Sequence, residues 1–412
     1  MARKNFFQRT SAAMRYMFLG TQSNIVSPIN VKNIDFGVNV SQDSALKFTA
    51  VYAAIKLLSE NIAALPKSVK FRSERGWEKA DHAANRLLSI RPNDYTDIFA
   101  FWFTINANLQ GWGNAFAVIK YENGIPVSLH QIHPRNVKIG FVDGQKVFEV
   151  DCPFGFQKQF NGRYLNWEML HFMMFSLDGI TGIDPITYNA AAIGRGIAAQ
   201  EFSAEYYRKG GNIKGVLETD QNLGTEAYKS FTKRFTEASG NFETPLLEYG
   251  IKYKNISINP VAAQLIQSET LSIQDIARIF NVPPHLLAEL THATFSNIEQ
   301  QNIFFGTHSL RPICKRIENQ LEDKLFLDDE KANYSVKFDL KGFMRGDSKS
   351  RSDYYKNAIN SGFMTRNEVR DLEELPALDG LDDPLQPLNM VPVGSNDDID
   401  DGDDNNPPPR KK

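Results

Sequence analysis

NPVAAQLIQSETLSIQDIARIFNVPPHLLAELTHATFSNIEQQNIFFGTHSLRPICKRIENQLEDKLF, residues 259–326, holds two punctuated helices around which the rest of the chain is organised. Asn259 supplies an N-cap and Pro260 the first helical position, where the missing N–H would have been unpaired anyway. Ala262, Leu265, Ile266, Ile273, Ile276, Ala277 and Phe280 recur with helical period, with Gln264, Gln267, Glu269, Gln274 and Arg278 opposite. One face is therefore buried. The helix must stop near Asn281, because Pro283 and Pro284 remove donors and push the preceding residue out of the helical region. A capping box, Ser296 with Glu299, opens the second helix. Leu310, Ile313, Ile317, Leu321 and Leu325 form its apolar stripe, and Arg311, Lys315, Glu318 and Glu322 are expected in solvent. Gly306 and Pro312 predict a kink between Phe305 and Ile313. The polar tip between the helices, Thr291 to Phe295, has no periodicity and is expected to be mobile.

Upstream, Asp184 and Pro185 open a helix expected to run to Lys209, rich in small residues that include Gly194, Gly196, Ala198 and Ala199. Such a face admits close approach of a neighbouring helix. Between the long helices lies a module read as strand, helix (Thr225 to Ser239) and two strands, Leu246 to Tyr249 and Ile251 to Ile256. Towards the N-terminus, Ser44 to Pro66 reads as a core helix through Phe48, Val51, Tyr52, Ile55, Leu58, Ile62 and Leu65. Asp97 to Gln110 forms a second, ended by Gly111 and Gly113. From Ala115 the period changes to two. Short strands joined by turns such as Asn123-Gly124 and Asp143-Gly144 predict one small, mostly antiparallel sheet packed on the helices, an α+β arrangement. After Phe326 come a strand, Tyr334 to Leu340, and two helices, Asp347 to Asn360 and Thr365 to Glu374. The last carries a capping box, Thr365 with Glu368.

The 412 residues, 42% hydrophobic, provide two or three domains' worth of core. Two cysteines, Cys152 and Cys314, are too few for a disulfide framework. The basic, amphipathic first 20 residues have Arg9 and Arg15 interrupting every apolar run, which fits a surface helix or mobile arm rather than a leader. No apolar stretch reaches membrane-spanning length, so a soluble protein is expected. Residues 376–412 hold nine Asp, no Glu and three basic residues, leaving 43 basic against 40 acidic groups elsewhere. That tail is expected to be disordered, and the balanced remainder lacks the basic surplus of a protein that grips duplex nucleic acid.

Chemistry is sparse. No phosphate loop is present, and Gly194-Arg195-Gly196 lies mid-helix, the wrong context for a dinucleotide fingerprint. His130 and His133 lack the further convergent ligands a zinc site needs. Asp347 reads as an N-cap rather than a catalytic acid, and the C-terminal aspartates lack a calcium loop's glycine and terminal glutamate. Neither cofactor nor metal is expected, and composition and spacing alone describe a non-enzymatic protein without identifying its task.

Two groups of motifs add the task. IARIFNVPPHLL (Ile276 to Leu287), SNIEQQNIFF (Ser296 to Phe305) and LRPICKRIENQL (Leu310 to Leu321) form the first, and RGDSKSRSDYYKNAINSGFMTRNEVRDLEELP (Arg345 to Pro376) the second. In order and separation they resemble the portal proteins of tailed double-stranded DNA bacteriophages, in the long-tailed branch. Ala288 departs from a frequent Gly, and Ala377 from a frequent second Pro. The resemblance implies a portal-type protomer: an arm (1–30), a mixed wing (31–183), stem helices (184–211 and 259–281) around a small α/β clip (212–258), a tunnel-loop region (282–297), a bent helix with wing return (298–344), crown helices (345–375) and the acidic tail (376–412). It implies a ring, commonly of twelve copies, at a capsid vertex of the virion, assembled in the host cytoplasm. Double-stranded DNA would pass through it, and the terminase large subunit, the major capsid protein and a head–tail adaptor would bind it, with no membrane contact. His292, Thr294, Phe295, Ser296 and Asn297 would face DNA. Lys214, Lys229, Lys233 and Arg234 would face terminase or an adaptor. Two other readings stand beside this one, a metal-dependent nuclease or hydrolase using the Asp and His residues, and a capsid-associated adaptor.

Overall fold

The structure, a computed structural model, describes residues 24–25, 40–74, 76–208, 215–220, 224–240, 250–255, 272–287, 301–340, 348–373 and 375–385. The chain divides into two compact units, Met1–Leu340 and Lys341–Lys412.

In the larger unit, helix α1 (Gln42–Ala45) is a single turn closed by a capping box between Ser41 and Ser44, and α2 (Thr49–Ala64) follows. The expected helix from Ser44 is thus two, because the chain turns at Leu46 to Phe48 before the long run starts. Val51, Ala54, Ile55, Leu58 and Ile62 of α2 are buried and pack on α4 (Ile98–Trp112), whose Phe101, Trp102, Ile105 and Leu109 face them. Each of the Val, Leu, Ile and Phe side chains contributes roughly 1.5–3 kcal/mol of burial. Tyr52, expected inside, is 53% exposed and lies off this face. Between these helices run strands β2 (Lys67–Ser73) and β3 (Gly76–Lys79) and helix α3 (Ala83–Ser89), capped by His82.

The single sheet expected from residue 115 onward is two small ones, with a third sheet built elsewhere. Strands β4 (Asn114–Glu122), β5 (Ile125–Ile132) and β9 (Met169–Met173) pair in the order β5-β4-β9. A second sheet is built from β6 (Val137–Val142), β7 (Gln145–Val150) and β8 (Gly162–Leu165), with the two-residue β1 (Asn24–Ile25) on its edge, ordered β1-β6-β7-β8. Phe116, Val118 and Ile132 of the first meet Ile139, Phe148 and Val150 of the second in one core. In the third, β12 (Tyr334–Phe338) pairs antiparallel with β2, Val336 opposite Val69, in the order β12-β2-β3. The hairpin turns carry the expected signature: Asn123, Gly124, Asp143 and Gly144 all have positive φ.

Gly113 ends α4 at φ +69°, the left-handed cap that Gly favours. It lies against the turn after β9. A Cβ at Gly113 would stand 2.0 Å from the Ile183 carbonyl oxygen, and one at Gly182 would stand 2.0 Å from the Gly113 oxygen. Asn114 clamps this crossing, donating to the Gly182 carbonyl at 2.7 Å and accepting its N–H at 2.8 Å. His171 is bonded to the same Asn114 oxygen at 3.0 Å and to Lys146 Nζ at 3.1 Å. Burial, with the Lys146 and Lys324 charges, holds His171 well below its ordinary value and so neutral, despite an opposing Asp178.

Beyond the crossing, Asp184 caps α5 (Pro185–Tyr188) and α6 (Ala190–Arg208) follows. The expected unbroken helix is interrupted at Asn189, which leaves helical geometry (φ −105°, ψ 25°). The small residues of α6 also have an occupant within the chain. A Cβ at Gly196 would lie 2.7 Å from the Phe48 ring and one at Gly194 3.2 Å from Val40, so these glycines seat the segment around α1. The module between the long helices contains β10 (Gly215–Glu218), α7 (Thr225–Gly240) and β11 (Lys252–Asn255), with β10 antiparallel to β11. Its expected strand at Leu246 to Tyr249 lies outside the described residues.

Helix α8 spans 272–280. Helix α9, residues 301–304, runs through a π turn, Phe305–Leu310, into α10 (Arg311–Leu325). The N-caps Asn259 and Ser296 lie outside the described residues. Glu318 and Glu322, expected in solvent, instead face the edge strand β12. Glu318 Oε1 accepts from Phe338 N–H at 2.9 Å, and Glu322 Oε1 accepts from Val336 N–H at 3.0 Å and the Ser335 hydroxyl at 2.6 Å. Two carboxylates thus occupy the donors of an otherwise open sheet edge.

In the smaller unit, α11 (Ser348–Asn360) and α12 (Arg366–Leu372) follow the expected order, with the Thr365–Glu368 capping box formed. The Asp347 cap lies outside the described residues. The expected disorder from Pro376 is corrected over 376–385. Buried Asn367 bonds both the N–H and the carbonyl of Leu378 and also Asp382, and Arg366 and Arg370 bond the Gly380 and Pro376 carbonyls. These side chains give the segment its polar partners.

Two buried amines give the larger unit a pH dependence on the basic side. Lys67 Nζ donates to the Ala63 and Leu65 carbonyls, at the C-terminal end of α2, and lies 5.5 Å from the Trp102 ring centroid. Burial lowers it to about 8 from 10.5, and burial with the Lys324 charge does the same to Lys146. Between those values the unfolded chain holds protons that the folded chain has released, so stability rises with pH across that window. Cys314 acts oppositely: burial raises its thiol from 9.0 to about 12, so above pH 9 the unfolded chain alone releases that proton and stability falls. Calorimetry is expected to show the thermal midpoint climbing from pH 7.5 to about 9. Lys67→Met is expected to flatten that climb.

Candidate functional site

The elements that connect the long helices converge at the end of α8. There Asn281 takes φ +52°. Its N–H bonds the Arg278 carbonyl at 3.3 Å and the Val282 N–H bonds the Ala277 carbonyl at 2.9 Å, a Schellman-type cap with Asn in place of Gly. Pro283 and a 3-10 turn, Pro284–Leu287, then lead the chain away. The halt expected from Asn281 and the two prolines is therefore present. The expected kink takes the form of the π turn, ending just before Pro312, which cannot donate to the carbonyl four residues back. That carbonyl belongs to His308, and Asn281 Nδ2 donates to it at 2.9 Å. The Ser309 hydroxyl in turn donates to the Asn281 carbonyl.

Nearby, an exposed Arg195 on α6 pairs with Asp275 of α8 at 3.2 Å, and Arg278 pairs with the same carboxylate at 2.7 Å. This ties the two long helices side by side. Being largely solvated, the pairs are each worth under about 1 kcal/mol and set register more than stability.

The five residues expected to face DNA, His292, Thr294, Phe295, Ser296 and Asn297, lie outside the described residues, as does Lys214. Lys229, Lys233 and Arg234 stand exposed on α7. Lys229 and Lys233 share one face, about 40° apart on a helical wheel, while Arg234 points about 140° from Lys229. They therefore do not form one patch. The stacked rings of Phe231 and Phe235, 6.4 Å apart, lie on the side away from the lysines.

His130 and His133 are accounted for within the fold. Both ring nitrogens of His130 are engaged, by Tyr95 Oη at 2.9 Å and Ser128 Oγ at 2.8 Å, and burial, aided by Lys120 and opposed by Asp94, lowers it to about 4. His133 Nδ1 accepts the Arg135 N–H at 3.2 Å. Among the described residues no three His, Cys, Asp or Glu side chains stand where they could share a metal ion, and no helix is long and apolar enough to cross a membrane.

The family model for phage portal protein matches residues 49–374. The chain belongs to the phage portal protein family. It is 30% identical over 378 residues to a probable portal protein of Streptomyces phage phiC31, covering 87% of this chain and 81% of that one. It is 26% identical to the portal protein of Enterobacteria phage HK97, covering 90% and 89%. Two solved structures share the fold. A crystal structure of an HK97 family phage portal protein from Corynebacterium diphtheriae superposes with a TM-score of 0.54 at 16% identity, over 74% of this chain and 97% of that one. A subunit from the neck of a native gene transfer agent particle, computed with C12 symmetry, gives 0.52 at 19% identity, over 83% and 96%. The mixed helices and small sheets are thus the α+β portal fold, and the junction around Asn281 and the α7 module both lie inside the portal-family match. Sequence reading did not find the Asn281 bridge. Its one local signal was an Asn before two prolines, and its partner His308 is distant in sequence.

Proposed function

We propose that this chain forms a closed ring of twelve copies at one vertex of the capsid, and that double-stranded DNA enters through the axial channel at packaging and leaves by it at ejection. What carries the reading is end-to-end coverage: 96% of the subunit from a neck with C12 symmetry is matched by 83% of this chain. An adaptor or a single shared module would leave most of that subunit unmatched. Helices α6 and α8 would form the stem, 212–258 the clip, 345–375 the crown, and 282–297 the tunnel-loop region facing DNA. Lys229 and Lys233 would meet the terminase large subunit or a head–tail adaptor, and the outer sheets the major capsid protein. The ring would do no chemistry itself, with ATP hydrolysis supplied by terminase. Outside the tail, 43 basic and 40 acidic groups suit a conduit that must pass phosphates without the affinity gained by releasing counterions.

Light scattering of the purified chain tests this. A species of about 560 kDa, twelve times the 46.6 kDa protomer, is expected for head-to-tail contacts that close on themselves. A monomer or dimer persisting at high concentration would overturn the ring.

A further inference from the structure

We propose that the ring closes by seating the loop at Phe154 of one copy in the groove between the end of β9, α5 and α8 of the next, a contact that rests on the ring reading and names the surfaces that build it. A head-to-tail ring needs two different, complementary surfaces on each protomer. The described residues carry such a pair at opposite edges of one sheet. In the order β5-β4-β9, the loop is anchored on β5 and the groove begins where β9 ends.

The loop runs from Asp151 to Phe156, between β7 and a 3-10 turn, Phe156–Phe160. Its base is fixed: Asn161 accepts the N–H of buried Cys152 at 2.7 Å and donates to the Cys152 carbonyl at 3.2 Å. On the other side, Phe156 lies edge-on to Tyr95 at 4.6 Å, and Gln157 donates to the Gln131 carbonyl of β5 at 3.1 Å. Between these anchors Phe154, flanked by Pro153 and by Gly155 at φ +75°, is 86% exposed. A large apolar ring held out on a braced loop loses little freedom on binding, which suits it to anchor an interface.

The groove, of about 280 Å³, has Phe175, Ile183, Tyr188 and Phe280 in its walls, and Phe175 and Tyr188 are more than half exposed. Gln110 also lines it and is 2% exposed, yet its Nε2 has no hydrogen-bond partner among the described residues. A buried donor left that way calls for an acceptor from outside the protomer, and a carbonyl of the incoming loop is one. The charges match as well. Exposed Arg316 lines the groove, and its guanidinium contacts the Met174 sulfur at 3.9 Å and no carboxylate among the described residues. Asp151 is exposed at the start of the loop and likewise forms no ion pair among them. Three residues span at most about 10 Å, so a loop seated by Phe154 brings Asp151 within reach of Arg316.

The test reads ring formation of the full-length chain by native mass spectrometry across a dilution series. Phe154→Ser is expected to raise the concentration needed for rings at least about tenfold, and Asp151→Arg or Arg316→Asp several-fold each. The protomer's thermal midpoint should stay unchanged, because all three positions are exposed. Asp151→Arg combined with Arg316→Asp should return to within about twofold of wild type, since the pair is rebuilt with its signs exchanged. In a second measurement, Phe154→Cys combined with Phe175→Cys is oxidised in the assembled state. A ladder of covalent oligomers is expected on a denaturing gel, and neither single variant should give one, as both native cysteines are buried. Rings that form normally in Phe154→Ser, a double charge reversal no better than either single one, or assembled rings that yield no ladder would each overturn the contact while leaving the ring standing. A wild-type chain that never closes would instead remove the ring reading beneath it, a result visible before any variant is made.

Discussion

Gly113→Ala is expected to destabilise the larger unit by at least about 3 kcal/mol and to abolish ring-sized material on purification. Two independent penalties combine at this position. An L-residue forced to φ +69° costs roughly 1–2 kcal/mol. The new methyl would also stand 2.0 Å from the Ile183 carbonyl oxygen, a backbone atom that cannot rotate away. Relief would require separating the end of α4 from the turn that precedes α5, which breaks the Asn114 clamp on Gly182 and withdraws a partner from buried His171. Gly111→Ala, in the same last turn, meets open space and is expected to gain about 0.5–1 kcal/mol from helix propensity. Urea midpoints of the two variants give the comparison. A Gly113→Ala protein within about 1 kcal/mol of wild type would mean that the crossing opens freely.

Glu318→Ala is expected to be the second large effect, a loss of about 2–3 kcal/mol. The buried Phe338 N–H would be left without an acceptor in a strand edge that the carboxylate now covers. The ion pairs of Glu318 with Lys315 at 3.4 Å and Lys337 at 3.9 Å contribute little, because both lysines are well exposed and the geometry is long. Glu318→Gln keeps an acceptor and is expected to lose under about 1 kcal/mol. Equal losses in the two variants would show that charge pairing, not coverage of the edge, is what Glu318 provides.

What was legible in the sequence was local. The side chains of Asp97 and Asp184 accept the N–H groups of the helices they precede, and Asn123-Gly124 and Asp143-Gly144 turn their hairpins. In each, the cause lies within four residues of the effect. Portal membership was legible for a related reason, since motifs such as Ile276 to Leu287 are short, ordered along the chain and inside the region that the family model matches. What was illegible depended on distant partners. Glu318 and Glu322 read as a solvated helix face until β12 arrives to take their oxygens. Gly194 and Gly196 read as a surface for another helix until Val40 and Phe48 fill it. The pairing of β2 with β12 had no signal, because alternation marks a strand without naming its neighbour. At the candidate site, the proline stop and the bend were readable, but the Asn281 bridge to His308 was not.

That same pairing of β2 with β12 also orders events in time. Lys67 lies opposite Phe338, so the sheet joining them closes only after almost all of the larger unit has been synthesised. Domains emerge at roughly 5–20 residues per second, which leaves the free edge of β2 waiting on the order of tens of seconds for its partner. Contacts so far apart in sequence form late and slow the folding that depends on them. A chain cut short before Tyr334 therefore has no strand to seat on Val69, and only one synthesised past Phe338 can close this sheet.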